Sequence, residues 1–182
     1  MLFTALCLTS AVTTLIVVLA VLVVLLAAYP AGTAFSETSF EKVARFLERT
    51  IERYGNLEAS LTESLGAPST RSVSKHASPH DPNYTYELIS MDFAPKGAQA
   101  VVYRDSDKEL LVGLVASTPK LVFGKNVRVG SPKSAVLKEL GKPVEEKDDV
   151  MRYEDESGYV DITFQLDLGG TVRRMGISIW MD

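Results

Sequence analysis

The chain has 182 residues, room for one medium domain or two small ones, and a mildly acidic balance of −4, with no charged side chain before Glu37. That charge argues against a nucleic-acid binder, which needs a basic stripe to neutralise phosphates. The only cysteine, Cys7, lies in the apolar leader, which excludes a disulfide, a thiol nucleophile and a cysteine metal ligand from everything that follows.

Residues 1–36 form the first predicted element, an apolar helix. Leu15–Ala28 is an unbroken run of Leu, Val, Ile and Ala, and Thr9–Tyr29 reaches the roughly 20 residues that a spanning helix needs. An uncleaved membrane anchor over residues 9–29 is the first reading. A cleaved secretory signal is the second: the basic n-region is missing, but Gly32-Thr33-Ala34 offers a cleavage site. Lys42, Arg45 and Arg49 follow the span, which by the positive-inside rule keeps the rest of the chain cytoplasmic. They alternate with Glu41 and Glu48 inside the next helix, however, and so carry less weight.

Thr38 and Glu41 have the spacing of a capping box. Phe40, Val43, Ala44, Leu47, Ile51 and Tyr54 then recur at helical spacing, a stripe that reads as core. A short second helix runs from Gly55-Asn56 through Leu61 and Leu65 to Gly66-Ala67-Pro68. Ser69–Asn83, dense in Ser, Pro, His and Asp, reads as an exposed loop. Strands are expected at Tyr84–Phe93, Ala100–Arg104 and Leu110–Ser117, with turns at Pro95-Lys96-Gly97 and Asp105-Ser106-Asp107.

The same order returns downstream. Ser131 and Pro132 suit a helix start, Val136, Leu137 and Leu140 an apolar stripe, and Gly141 and Pro143 a stop. Met151–Tyr153, Tyr159–Leu166 and Thr171–Met181 follow as strands. The expected fold is therefore α+β. It consists of two tandem units, residues 37–119 and 120–182, each a helix followed by a three-stranded antiparallel meander, with helices on one sheet face.

Alternation identifies the buried face. Val160, Ile162, Phe164 and Leu166 point one way, and Asp161, Thr163 and Gln165 the other. In the last strand Met175, Ile177, Ile179 and Met181 face inward, leaving Gly176, Ser178 and Trp180 open. Equal parity in the first half puts Leu111, Val115 and Ser117 on the open face, with Tyr84, Tyr86 and Tyr103 as further candidates. A face carrying the sole tryptophan among small polar groups suits a protein partner. Trp180 is the expected apolar anchor, and Asp161, Thr163, Gln165 and Arg174 the expected polar contacts.

Catalysis finds little footing. His76 and His80 have a spacing that suits zinc on a helix, but Pro79 and Pro82 forbid a regular helix and no third ligand is near. With Asp81 they are the only acid–base candidates. No catalytic, cofactor or metal site is expected.

Val127–Pro143, followed by Tyr153 and the Val160–Leu166 strand, resembles the BLIP-like repeat superfamily. That superfamily includes β-lactamase inhibitor proteins and the BamE (SmpA/OmlA) group of outer-membrane assembly lipoproteins. The resemblance covers about residues 38–182, more strongly in the second half. It implies an extracytoplasmic module, periplasmic or at the cell surface, that binds another protein through its open sheet and loops. The chain departs from the inhibitor pattern in having no disulfide, and from the BamE pattern in that Cys7 is misplaced for lipidation. A membrane-tethered binding module is thus the leading expectation, secreted instead if the leader is cleaved. An inhibitor or regulator of an extracytoplasmic enzyme, blocking through Ser69–Asn83, and a structural subunit of a membrane assembly are the alternatives.

Overall fold

Thr38 and Glu41 open the first helix as their spacing requires. In the computed structural model, which describes residues 38–54, 57–78, 80–81 and 83–180, the Glu41 N–H donates to Thr38 Oγ1 at 3.2 Å and the Thr38 N–H to Glu41 Oε2 at 2.8 Å. Helix α1 (Ser39–Tyr54) buries Val43, Phe46, Thr50 and Tyr54. Phe40 and Ala44, expected on that stripe, are exposed. The stripe is rotated by contacts from far along the chain. The Phe46 ring meets Phe164 edge-on at 6.2 Å. Thr50 Oγ1 donates to the Phe46 carbonyl and accepts the Gly124 N–H, both at 2.8 Å. Gly124 has φ +53°, and a Cβ there would sit 2.2 Å from the Phe46 ring, so only glycine fits.

Helix α2 (Leu57–Leu65) buries Leu57, Leu61 and Leu65. Helix α3 (Lys133–Leu140) buries Val136 and Leu140. Ser131 does not cap α3. Pro132 holds the cap position with no side-chain bond, and Ser131 Oγ instead accepts the Arg128 N–H at 3.1 Å. Gly141 closes the helix with φ 79° and its N–H on the Leu137 carbonyl, a positive φ although not the left-handed helical conformation.

The strands are β1 (Thr70–Ala77), β2 (Thr85–Phe93), β3 (Ala98–Arg104), β4 (Glu109–Ala116), β5 (Glu145–Lys147), β6 (Val150–Glu154), β7 (Val160–Leu166) and β8 (Val172–Ile179). They form one antiparallel sheet in the order β1-β2-β3-β4-β8-β7-β6-β5. This corrects the expected fold. There is no tandem pair of helix-plus-three-strand units: eight strands share a single sheet, and β4 pairs with β8 from Gly113↔Ser178 to Ala116↔Met175. Strands β1 and β5 are the additions, both at sheet edges and exposed at every residue. Without a buried face they have no apolar alternation to betray them, which is why the Ser69–Asn83 segment reads as loop. The expected apolar helix, the anchor at residues 9–29 and the cleavage site lie outside the described residues. Among the described residues, no helix is long and apolar enough to cross a membrane.

One continuous core joins the three helices to the inward residues of β2 to β4 and β6 to β8. The segment between β4 and α3 adds Leu121, Phe123 and Val127. Tyr54 fastens it, its hydroxyl donating to the Val122 carbonyl at 3.1 Å and accepting the Val122 N–H at 2.9 Å.

Candidate functional site

Because the helices cover one face of the sheet, the residues of opposite parity are left uncovered among the described elements. Val160, Ile162, Phe164 and Leu166 are buried, and Asp161, Thr163 and Gln165 are half-buried on the other side, as alternation requires. In β8, Met175 and Ile177 go inward while Arg174 and Ser178 stay exposed.

Strand β4 breaks the simple count. Val101 pairs with Gly113 and Val102 with Leu111, so Val112 is an extra residue, a β-bulge. The extra residue reverses parity upstream of it. Leu111, expected on the open face, is 1% exposed in the core. Leu110, paired with Tyr103, is half-buried and joins Val112 on the open side, and Val115 lies there as expected.

The open face contains two adjoining concavities of about 710 and 390 Å³, which share Val101, Gly113, Ser178 and Trp180. Gly113 and Gly176 leave bare backbone along the floor of the smaller one. A Cβ at Gly176 would stand 2.8 Å from Thr163 Oγ1. Trp180 stands beside this floor with two-thirds of its surface exposed, its backbone N–H donating to the Tyr159 carbonyl at 2.8 Å.

The larger concavity is aromatic. His76 stacks on Tyr86 at 5.4 Å, Tyr86 stacks on Tyr103 at 5.0 Å, and Lys108 Nζ lies 5.9 Å from the Tyr103 ring centroid. The Tyr84 and Tyr103 hydroxyls are 2.7 Å apart, and both reach Asp105 Oδ2, Tyr103 at 2.9 Å. The hydrogen bond to Asp105 holds the Tyr84 phenol well above its ordinary range, and the same bond holds the Asp105 carboxyl well below its own. Burial is the main cause that raises Tyr103. Groups so displaced keep fixed protonation near neutral pH. They act as lasting donors and acceptors, unsuited to acid–base turnover, which needs a pKa near the working pH.

The five expected contact residues divide into two groups. Asp161, Thr163 and Trp180 line one concavity. Asp161 Oδ2 accepts from Arg152 Nε at 2.8 Å, and its Oδ1 is buried with no protein partner. Gln165 and Arg174 face each other across β7 and β8, nearer the β5–β6 turn, where Gln165 Nε2 reaches Asp149 Oδ2 at 3.4 Å. Leu88, Val101, Leu110 and Val112 were missing from the expected site. Leu88 shares parity with Tyr86, so sequence alternation carried that signal; Leu110 and Val112 depend on the bulge, which has none.

Among the described residues, no group of three or more His, Cys, Asp and Glu converges on a metal position. The His76 ring is occupied in the aromatic stack, with Nε2 3.0 Å from Ser74 Oγ. No protein-family model, curated protein or solved structure matches this chain. The fold and face alone define a class: a one-sided antiparallel sheet with an aromatic, uncovered surface.

Proposed function

We propose that the chain is a non-enzymatic binding module that recognises another protein on its open sheet face. Residues 9–29 hold it at a membrane, with the folded part outside the cytoplasm. The observation that carries the reading is Trp180, exposed beside a stacked row of aromatic side chains on a face no described element covers. Tryptophan and tyrosine dominate the energetic centres of protein interfaces. The face is favoured over the edges, because β1 carries Arg71 and Lys75 and β5 is Glu-Glu-Lys, charges that oppose strand addition. The BLIP-like pattern of residues 127–143 agrees with this mode. Blocking by a 69–83 loop is not supported, since residues 70–77 form β1.

The test is a photo-crosslinking residue at Trp180 in the full chain, expressed in its native membrane, with exposed Glu63 of α2 as control. A discrete adduct from position 180 alone is expected. Trp180→Ala and Gln165→Ala should weaken capture of that partner while melting stays nearly unchanged. Equal crosslinking from Glu63, or a large loss of stability in Trp180→Ala, would overturn the reading and make Trp180 a packing residue.

A further inference from the structure

On the side of the sheet away from the open face, α1, α3 and the loop before α3 enclose a groove of about 460 Å³. Lys42, Arg45 and Arg49 from α1, Lys125 from the loop, and Lys138 and Glu139 from α3 line it. The α1 residues are spaced three and four apart, which puts them on one helix face. Even with Arg45 left aside, four cations against one carboxylate is the reverse of a chain whose net charge is −4. The lone carboxylate is already engaged, because Glu139 Oε1 accepts the Lys125 N–H. Lys42, Arg49, Lys125 and Lys138 form none of the ion pairs among the described residues.

Like charges gathered around a concave space repel one another unless a counter-charge enters it. We infer that this groove binds a phosphate-bearing anion, either the headgroup of an anionic phospholipid or a free phosphorylated small molecule. A terminal phosphate supplies close to two negative charges and three acceptor oxygens, and the phosphodiester of a lipid headgroup one charge and two such oxygens. Those oxygens match the planar fork of Arg49 and the point charges of the lysines. The volume suits a small ligand. A nucleic acid would need a basic track continuing beyond the groove. The inference is independent of the sheet-face reading, since it uses the other side of the molecule.

The full chain, purified in a non-ionic detergent, would be titrated calorimetrically with inorganic pyrophosphate. Parallel titrations would use dioctanoyl phosphatidylglycerol and, as the zwitterionic control, dioctanoyl phosphatidylcholine. Saturable binding near one to one is expected for at least one of the first two. Arg49→Gln with Lys138→Gln should weaken it about tenfold or more, and Lys147→Gln, on exposed β5, should not. Glu139→Gln should tighten binding, because it removes the opposing charge. Should the double variant fail to fold by circular dichroism, Glu139→Gln and the exposed Lys125→Gln carry the test. Binding of pyrophosphate alone would identify a free phosphate compound as the ligand, and binding of phosphatidylglycerol alone a headgroup; either supports the site. No saturable binding, binding indifferent to the folded groove variants, or tighter competition by a single-stranded oligonucleotide would overturn it.

Discussion

Between Leu110 and Leu111 the chain advances one residue and the physical setting reverses. Leu111 is sealed beneath the helices at 1% exposure, whereas Leu110 lies half-buried on the open face beside Tyr103. The same contrast runs across the sheet. One face is dry and continuous with the helices. The other presents Tyr86, Leu88, Val101 and Trp180 over a glycine floor. A sheet covered on one side needs only that side for its core, so the other is free to be shaped for contact. The core and the proposed recognition face are thus separated by the thickness of a strand.

The largest effect should come from breaking the covered face at its centre. Phe46 is fully buried and packs edge-on against Phe164, which packs in turn against Tyr153 at 5.9 Å. Phe46→Ala should cost about 3–5 kcal/mol, the range for a large aromatic lost from a core. Chemical denaturation of the full chain in detergent would read it. A cost under about 1 kcal/mol would mean that α1 is not integral to the core.

Next in size is the paired comparison at the bulge. Leu111→Ala should destabilise by about 2–5 kcal/mol, and Leu110→Ala by less than about 1 kcal/mol, because its site keeps solvent on one side. If the two costs were equal or inverted, the register shift at Val112 would be wrong. So would the placement of Leu110 on the open face.

That bulge marks where the sequence stops being legible. Strands β7 and β8 could be read because a face buried along its whole length leaves a period of two, and Trp180 took its place by the same count. Strand β1 could not, since Thr-Arg-Ser-Val-Ser-Lys-His-Ala is exposed throughout and no burial imposes a pattern on it. The buried stripe of α1 departs from the simple helical count because Phe46 and Thr50 answer to Phe164 and Gly124, residues more than 70 positions away. The aromatic row needed the β1–β2–β3 register to bring His76, Tyr86 and Tyr103 side by side. The basic groove needed α1 against α3. Lys42, Arg45 and Arg49 read in sequence only as a signal of membrane orientation, while Lys125 and Lys138 join them only in space.

The smallest expected effect lies at the rim of the covered face, where α2 meets the edge strand. Glu58 accepts Arg71 Nε at 2.5 Å and an Arg104 nitrogen at 2.6 Å, and Arg104 also pairs with Glu109. The hydrogen bond from Arg71 chiefly holds the Glu58 carboxyl below its ordinary value of 4.5, with Arg104 adding to the effect. A carboxyl depressed in the folded state adds stability above its unfolded pKa and loses it as the pH falls through the folded one. Stability from Glu58 is therefore complete at neutral pH and disappears progressively below pH 4.5. The network is solvent-screened, so Glu58→Gln should cost about 0.5–1 kcal/mol at pH 7, a shift of about 1–4 °C in melting temperature. The gap between variant and parent should then close on acidification. On the open face, Asp105 is depressed by its bond to Tyr84 and joins no helix to the sheet. Its acid response should survive in the Glu58→Gln protein. If the gap persisted undiminished at pH 3, Glu58 would stabilise by shape and not by charge, and the covered face would be held at its rim by packing alone.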